Sequence, residues 1–290
     1  LNPVIDEPGT YLITVFNAFN ECSNTSEILV AQDIVNPDAE AGILDTLDCY
    51  SYSLDLDGLG SSTGTNFEYE WISLDGYPIT NSNTLSPTID VEGQYELTVT
   101  NTINGCTSSD LVTIARDTIT PILVGIQSDT LTCGVLDTEI GVVSDVNTSV
   151  SYDWSTQNGT ITSASSISNP SVSSPGLYTL ELTNLINGCS TIEDVPVYQD
   201  IILPLADAGS GGVITCDFLT INIIGSASTN SGMTDILWLT ETGEIVTGSD
   251  QENPLVSSGG FYTMIVTDLL NECRDTSNTF IEENQEFPLI

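Results

Sequence analysis

Residues 93–106 read GQYELTVTNTINGC. Tyr95, Leu97 and Val99 alternate with Glu96, Thr98 and Thr100, the two-residue period of a strand with one buried face. The run closes on Asn104-Gly105, a pair suited to a tight turn needing φ > 0, so a second strand is expected from about Cys106. The same string returns as GTYLITVFNAFNEC at 9–22, GLYTLELTNLINGC at 176–189 and GFYTMIVTDLLNEC at 260–273. Its tyrosines, Tyr11, Tyr95, Tyr178 and Tyr262, stand 84, 83 and 84 residues apart, and Cys22, Cys106, Cys189 and Cys273 keep those steps. A second cysteine series, Cys49, Cys133 and Cys216, and the tryptophans Trp71, Trp154 and Trp238 follow the same period. Every Cys and every Trp is in register, so the chain is a tandem repeat.

The repeat frame comes from its punctuation. Asp33, Asp117 and Asp200, with Asn284 in the last copy, lie eleven residues after the first-series cysteines. A proline follows four residues later: Pro37, Pro121, Pro204 and Pro288. Proline cannot continue a central strand, so one repeat hands over to the next there. The expected frame is the C-terminal part of a repeat at 1–33, whole repeats at 34–117, 118–200 and 201–284, and the start of another at 285–290. Seven or so short strands in about 84 residues, with no 3.6-residue pattern, predict an all-β chain of antiparallel β-sandwich domains arranged head to tail. The recurring tryptophans and tyrosines are expected in the cores.

The charge balance excludes whole classes of function. Among 290 residues, 41 are acidic and only Arg116 and Arg274 are basic, with no Lys and no His, for a net charge of −39. Nucleic-acid binding and attraction to an anionic membrane need a basic surface. Without His there is no Ser-His-Asp triad and no imidazole metal site; without Lys there is no Schiff base and no P-loop lysine. Carboxylate chemistry, calcium or no chemistry at all remain. Hydrophobic residues make up 40%, enough to build cores, and no apolar run reaches the 18 residues of a membrane span. The chain starts at Leu1 without a basic leader, so the expectation is a removed leader or a segment of something longer.

The run AGILDTLDCYSYSLDLDGLGSSTG at 41–64, with Tyr69-Glu70-Trp71 and the 93–106 string, resembles the PKD-like and Ig-like repeats of very large bacterial surface proteins. Such repeats are typical of proteins exported by the type IX route. The resemblance covers the whole chain copy by copy and implies an extracellular, cell-surface setting.

In that setting the regular cysteines are expected in disulfides, since no Cys-x-x-Cys metal spacing exists. The cysteine lies beyond the turn after the corner tyrosine, so this is not the antibody-type inter-sheet pin. Two pairings stay open. Pairing within repeats joins Cys49–Cys106, Cys133–Cys189 and Cys216–Cys273, with Cys22 bonded upstream. Pairing between neighbouring repeats joins Cys49–Cys189 and Cys133–Cys273, because head-to-tail sandwiches place the two cysteines of one repeat at opposite ends.

Other candidate sites are weaker. Asp33, Asp117 and Asp200, near further acids, are candidate Ca2+ ligands, with an Asp capping a turn as the plain alternative. Asp55 and Asp57 before Gly58 resemble a short calcium loop. Asp-Thr-apolar triplets mark Thr46, Thr118 and Thr130 as candidate O-glycosylation sites of the kind associated with this secretion type. Paired carboxylates for glycoside hydrolysis carry no signal among 41 acids, and near-equal copies argue against one evolved active site, so no enzyme is expected. The expected function is a structural repeat segment of an extracellular filament or adhesin stalk. Its partners would be neighbouring repeats of the same chain or identical subunits, with any surface polysaccharide or host ligand met at a tip outside these residues. The alternative is a carbohydrate-binding or spacer module of a secreted polysaccharide-degrading enzyme.

Overall fold

The computed structural model of the chain describes residues 2–144 and 149–286. Every regular element among them is a β-strand, and they contain no helix long and apolar enough to cross a membrane. The expected start of a further repeat at 285–290 falls largely outside the described residues.

Strand Gly93–Asn101 lies inside a four-stranded sheet, paired antiparallel with Phe67–Ser73 on one side and Thr107–Asp117 on the other. Asp45–Asp48 runs parallel to the far end of Thr107–Asp117, with Asp48 opposite Asp117. The alternation works as expected: Tyr95, Leu97 and Val99 are buried, while Glu96, Thr98 and Thr100 are partly exposed. They meet a second layer in which Leu54–Asp55 pairs with Thr88–Ile89. The core between the layers gathers Ala41, Leu47, Leu56, Trp71, Ile89, Val112 and Ile114. Burying each such aliphatic or aromatic side chain contributes about 1.5–3 kcal/mol.

Two further cores repeat this plan. One holds Leu131, Ile140, Trp154, Val172, Tyr178, Leu180, Leu182, Val195 and Val197. It lies under the sheet Val150–Thr156, Gly176–Asn184 and Ser190–Val197, with Thr138–Glu139 pairing Ser171–Val172 opposite. The other holds Ile214, Ile223, Trp238, Val256, Tyr262, Met264, Val266 and Ile281, under the sheet Gly212–Thr215, Arg274–Asn284, Gly260–Asp268 and Thr234–Thr240. The chain is thus a tandem of Ig-like β-sandwiches.

The recurring aromatics carry their own polar ties. Each indole donates to the backbone carbonyl thirteen residues on: Trp71 to Thr84 at 3.1 Å, Trp154 to Ile167 at 3.1 Å and Trp238 to Gln251 at 2.8 Å. Each tyrosine hydroxyl donates at 2.7 Å to the carbonyl four residues upstream: Tyr11 to Glu7, Tyr95 to Val91, Tyr178 to Ser174 and Tyr262 to Ser258. This is the tyrosine corner of Ig-like sandwiches.

Tyr11 stands in the expected C-terminal part of a repeat at 1–33. It keeps the corner bond but lies half-buried and belongs to none of the three cores. Strands Gly9–Phe16 and Ser23–Val30 form a two-stranded hairpin, and Ile13 and Val15, on the face of Tyr11, are exposed. A sandwich core needs two facing layers, and this hairpin supplies one.

By compactness the chain divides into two units. The first comprises Leu1–Ile119 together with the turn Asn187–Cys189; the second comprises Thr120–Ile186 and Ser190–Ile290.

Candidate functional site

The most elaborated local structure is the turn that closes each repeated string. Its first Asn, or Asp268 in the last copy, accepts the backbone N–H two residues on: Asn17 from Phe19, Asn101 from Ile103 and Asn184 from Ile186 at 3.0 Å, Asp268 from Leu270 at 2.9 Å. Its second Asn does the same for the cysteine: Asn20 for Cys22 at 3.2 Å, Asn104 for Cys106 at 2.9 Å, Asn187 for Cys189 at 3.0 Å and Asn271 for Cys273 at 2.9 Å. Two consecutive Asx turns therefore aim the thiol. Between them and the cysteine the chain takes the left-handed region, with φ of 56° at Glu21, 74° at Gly105, 70° at Gly188 and 57° at Glu272.

Two of these turns are covalently held. Cys49 is bonded to Cys189 and Cys133 to Cys273, with Cα–Cα distances of 5.0 and 4.9 Å and 140 residues between partners in each case. The first bond lies wholly in the first unit and the second wholly in the second. Both are backed by backbone: the Cys49 N–H donates to the Asn187 carbonyl at 2.9 Å and the Cys133 N–H to that of Asn271 at 3.1 Å. Asn187 and Asn271 are buried, and each spends its amide twice more. Asn187 Nδ2 donates to Asp117 Oδ1 at 2.9 Å and to the Ile119 carbonyl at 3.0 Å. Asn271 Nδ2 donates to Asp200 Oδ1 at 3.1 Å and to the Ile202 carbonyl at 2.9 Å. Turn, linker and cysteine are thus tied at one amide, because Asn alone offers an acceptor and two donors at that reach.

Pairing within repeats does not occur. Cys49–Cys106, Cys133–Cys189 and Cys216–Cys273 are all absent, and Cys22, Cys106 and Cys216 are free thiols. The reason is the parallel pairing of the short strand. Cys49 follows Asp48, which sits opposite Asp117, whereas Cys106 precedes Thr107 at the other end of the same strand, Thr107–Asp117. Ten residue steps span about 33 Å, and a disulfide needs its Cα atoms within about 7 Å. The register Thr132 opposite Asp200 and Thr215 opposite Asn284 repeats the separation for the other two pairs.

The candidate calcium ligands have other partners. Asp33, Asp117 and Asp200 each cap a turn, accepting from Val35 N at 3.1 Å, Ile119 N at 3.2 Å and Ile202 N at 3.2 Å. Asp117 and Asp200 also hold the Asn amides described above. Asp55 accepts from the Thr88 hydroxyl at 2.6 Å and Asp57 from Leu59 N at 3.1 Å. No group of three metal-ligating side chains forms among the described residues. Of the candidate glycosylation positions, Thr118 and Thr130 are exposed, while Thr46 is half-buried in strand Asp45–Asp48.

The sequence reading placed the second Asn of the string in the turn but missed the bonds of its side chain, and it missed a matched pair of sizes beside each disulfide. Gly188 lies under the Tyr50 ring, whose atoms would be 2.7 Å from an added Cβ. Across the other bond the sizes reverse: Gly134 lies under Glu272, whose carboxylate would clash with an added Cβ. The residue after one cysteine and the residue before its partner share one space, and one of them is glycine. The signal was present in the Gly/Glu alternation of the string.

No protein-family model matches the chain, and no curated protein matches it. Among solved structures, the I67–I69 fragment of the titin I-band aligns with TM-score 0.38 and 10% identity over 86% of this chain and 98% of that one. The eight N-terminal Ig domains of Down Syndrome Cell Adhesion Molecule align with TM-score 0.38 and 9% identity over 96% of this chain and 40% of that one. Three N-terminal domains of the Hoc outer capsid protein of bacteriophage RB49 align with TM-score 0.34 and 13% identity over 86% and 99%. At such scores the likeness carries no weight for function or origin.

Proposed function

We propose that the chain is a stretch of structural repeats, 34–117, 118–200 and 201–284 with parts of others at 1–33 and 285–290, from an extracellular filament or adhesin stalk of a bacterial surface. Its role is non-catalytic: to project a binding tip or to coat the cell. The observation that carries this reading is the recurring disulfide, Cys49–Cys189 and then Cys133–Cys273, each binding the turn of one repeat to the repeat before it. A cross-link repeated with the period of the sequence serves the array, and disulfides persist in oxidising compartments outside the cytosol. The charge fits the same setting, because −39 spread over every copy keeps neighbouring stalks apart within a Debye length of about 8 Å at physiological salt. Electron microscopy of the native particle tests it. Beads about 35–45 Å apart, from strand lengths of about 7–10 residues plus turns, are the expected image, and a compact globule ends the reading.

One observation favours the carbohydrate-binding alternative. Phe261 and Phe280 are exposed neighbours on strands Gly260–Asp268 and Arg274–Asn284, with ring centroids 4.9 Å apart. The equivalent pairs are Leu177 with Pro196 and Gln94 with Thr113, so a single copy carries the aromatics. Polysaccharide affinity abolished by Phe261→Ala would favour this module over the stalk.

A further inference from the structure

The outer face of the 201–284 sheet carries a hollow of about 650 Å3, lined by Leu239, Glu241, Phe261, Thr263 and Asn278 among others. The fold supplies it. The preceding copy has a hollow of about 590 Å3 at the equivalent place, lined by Ser155, Gln157, Leu177 and Thr179 among others. The strand registers fix the equivalence, since Trp238 stands opposite Met264 as Trp154 stands opposite Leu180. What differs is the lining. Phe261 and Phe280 face each other where 118–200 has Leu177 and Pro196 and 34–117 has Gln94 and Thr113. Glu241 stands where those copies have Gln157 and Leu74. Two rings and a carboxylate thus arrive together at one hollow, in a single copy.

The place is open in every copy. Gln94, Thr113, Leu177 and Pro196 are exposed as Phe261 and Phe280 are, and Leu177 and Pro196 have the 201–284 repeat following them. A cross-strand aromatic pair steadies a sheet by about 0.2–1 kcal/mol, and that is the plain reading of the two rings. It accounts for neither the carboxylate nor the polar row beside them. In that row the Thr263 hydroxyl donates to Asn278 Oδ1 at 2.6 Å. The rings are tilted by 54°, and with Phe261 65% exposed and Phe280 50% the pair leaves much of each ring in water.

A ligand for this hollow must gain from ring faces and from negative charge at once. The face of an aromatic ring is its negative side, and it attracts a cation within about 6 Å of the centroid. Glu241 adds a full charge, and the net charge of −39 repels anions. Arg274, the one basic residue of this copy, begins the strand that carries Phe280 and lies about 20 Å along it, too far to compete. A primary ammonium is strongly hydrated and keeps its water in so open a site. A quaternary ammonium has methyl groups in place of N–H and lays them on the rings.

We propose that this hollow binds a small soluble quaternary ammonium compound, choline or a cation of the same chemistry. Its methyl groups rest against Phe261 and Phe280, its charge lies beside Glu241, and Asn278 offers an amide to a hydroxyl on its tail. The site goes beyond the stalk reading and does not rest on it, since a binding face on one copy suits a stalk and a spacer alike. The hollow of 118–200 is a built-in control: it has a carboxylate, Asp194, hydrogen-bonded to Thr179 and no ring.

The test is to titrate the 290-residue protein with choline chloride, against sodium chloride at matched ionic strength, and to follow amide chemical shifts. The expected result is saturable shifts at Phe261, Thr263 and Asn278 and none at Leu177 and Thr179. The neutral isostere of choline, with carbon in place of nitrogen, binds several-fold more weakly. Phe261→Ala weakens choline binding about two- to fivefold, the range of an exposed cation–π contact, and Phe261→Trp strengthens it; a ring serving only the sheet would give neither response. Glu241→Gln also weakens binding and lowers its salt dependence. Both side chains are exposed, so these variants keep the fold, which unchanged shifts in the 34–117 core verify. No saturable shift, equal binding of the neutral isostere, equal shifts in the 118–200 hollow, affinity unchanged in Phe261→Ala and Glu241→Gln, or a response to neutral oligosaccharides in place of choline overturns the proposal.

Discussion

Asn187 concentrates more of the molecule's polar bonding than any residue the sequence singled out. Its carbonyl oxygen, its amide and its backbone each hold a different segment, and it is buried. Asn187→Ala leaves the Asp117 carboxylate and the Ile119 carbonyl without their donor, which should cost about 2–4 kcal/mol of unfolding free energy. Urea titration with the disulfides intact measures it, and a loss near zero would mean that the disulfide alone holds the turn. Asp268 stands where the other copies have Asn. The Ser231 hydroxyl and then the Leu270 N–H hold its carboxyl below the ordinary carboxylate range. A depressed carboxyl contributes stability that is present above its unfolded value and lost as the pH falls through the folded one. The turn should therefore loosen as the pH falls below the ordinary carboxylate range, and Asp268→Asn should flatten that acid limb in a thermal-shift series from neutral to acidic pH.

At the scale of the element, the turn is a module with interchangeable sides. Gly188 and Glu272 occupy equivalent positions at φ of 70° and 57°. The glutamate is accommodated because its partner position is Gly134, and the glycine is needed because its partner is Tyr50. Gly188→Glu forces overpacking and a left-handed non-glycine residue together, at about 2–4 kcal/mol. Tyr50→Gly opens the space, so Tyr50→Gly with Gly188→Glu should recover most of the loss. A double-mutant cycle by chemical denaturation reads the coupling; additive losses would show that the two side chains do not share a space. The alternation of Gly93–Asn101 was legible residue by residue. The turn at its second Asn was legible too, but the bonds of that Asn's amide were not, because a buried amide and an exposed one look alike in sequence.

For the whole molecule the cross-links interleave: the loop closed by Cys49–Cys189 overlaps that closed by Cys133–Cys273. A loop of 140 residues is worth about 5 kcal/mol in the chain-entropy model. The two arginines make the connectivity readable. Both lie in strands, Thr107–Asp117 and Arg274–Asn284, and Arg116 is paired with Glu92, so the folded chain should resist trypsin. Cleaved in urea without reductant, residues 1–116 and 117–274 should stay joined through Cys49–Cys189 and separate on reduction. Separation before reduction would mean that the cross-link between those two segments is absent.

The sequence by itself determined the repeat, the strand faces and the β-sandwich class. Those follow from period, alternation and turn chemistry, which are local. It placed Trp71, Trp154, Trp238, Tyr95, Tyr178 and Tyr262 inside for the same reason. The cysteine pairing was left open by spacing. Which cysteines meet depends on which ends of strands lie together, and that was decided by the parallel register of Asp48 against Asp117 and Thr132 against Asp200.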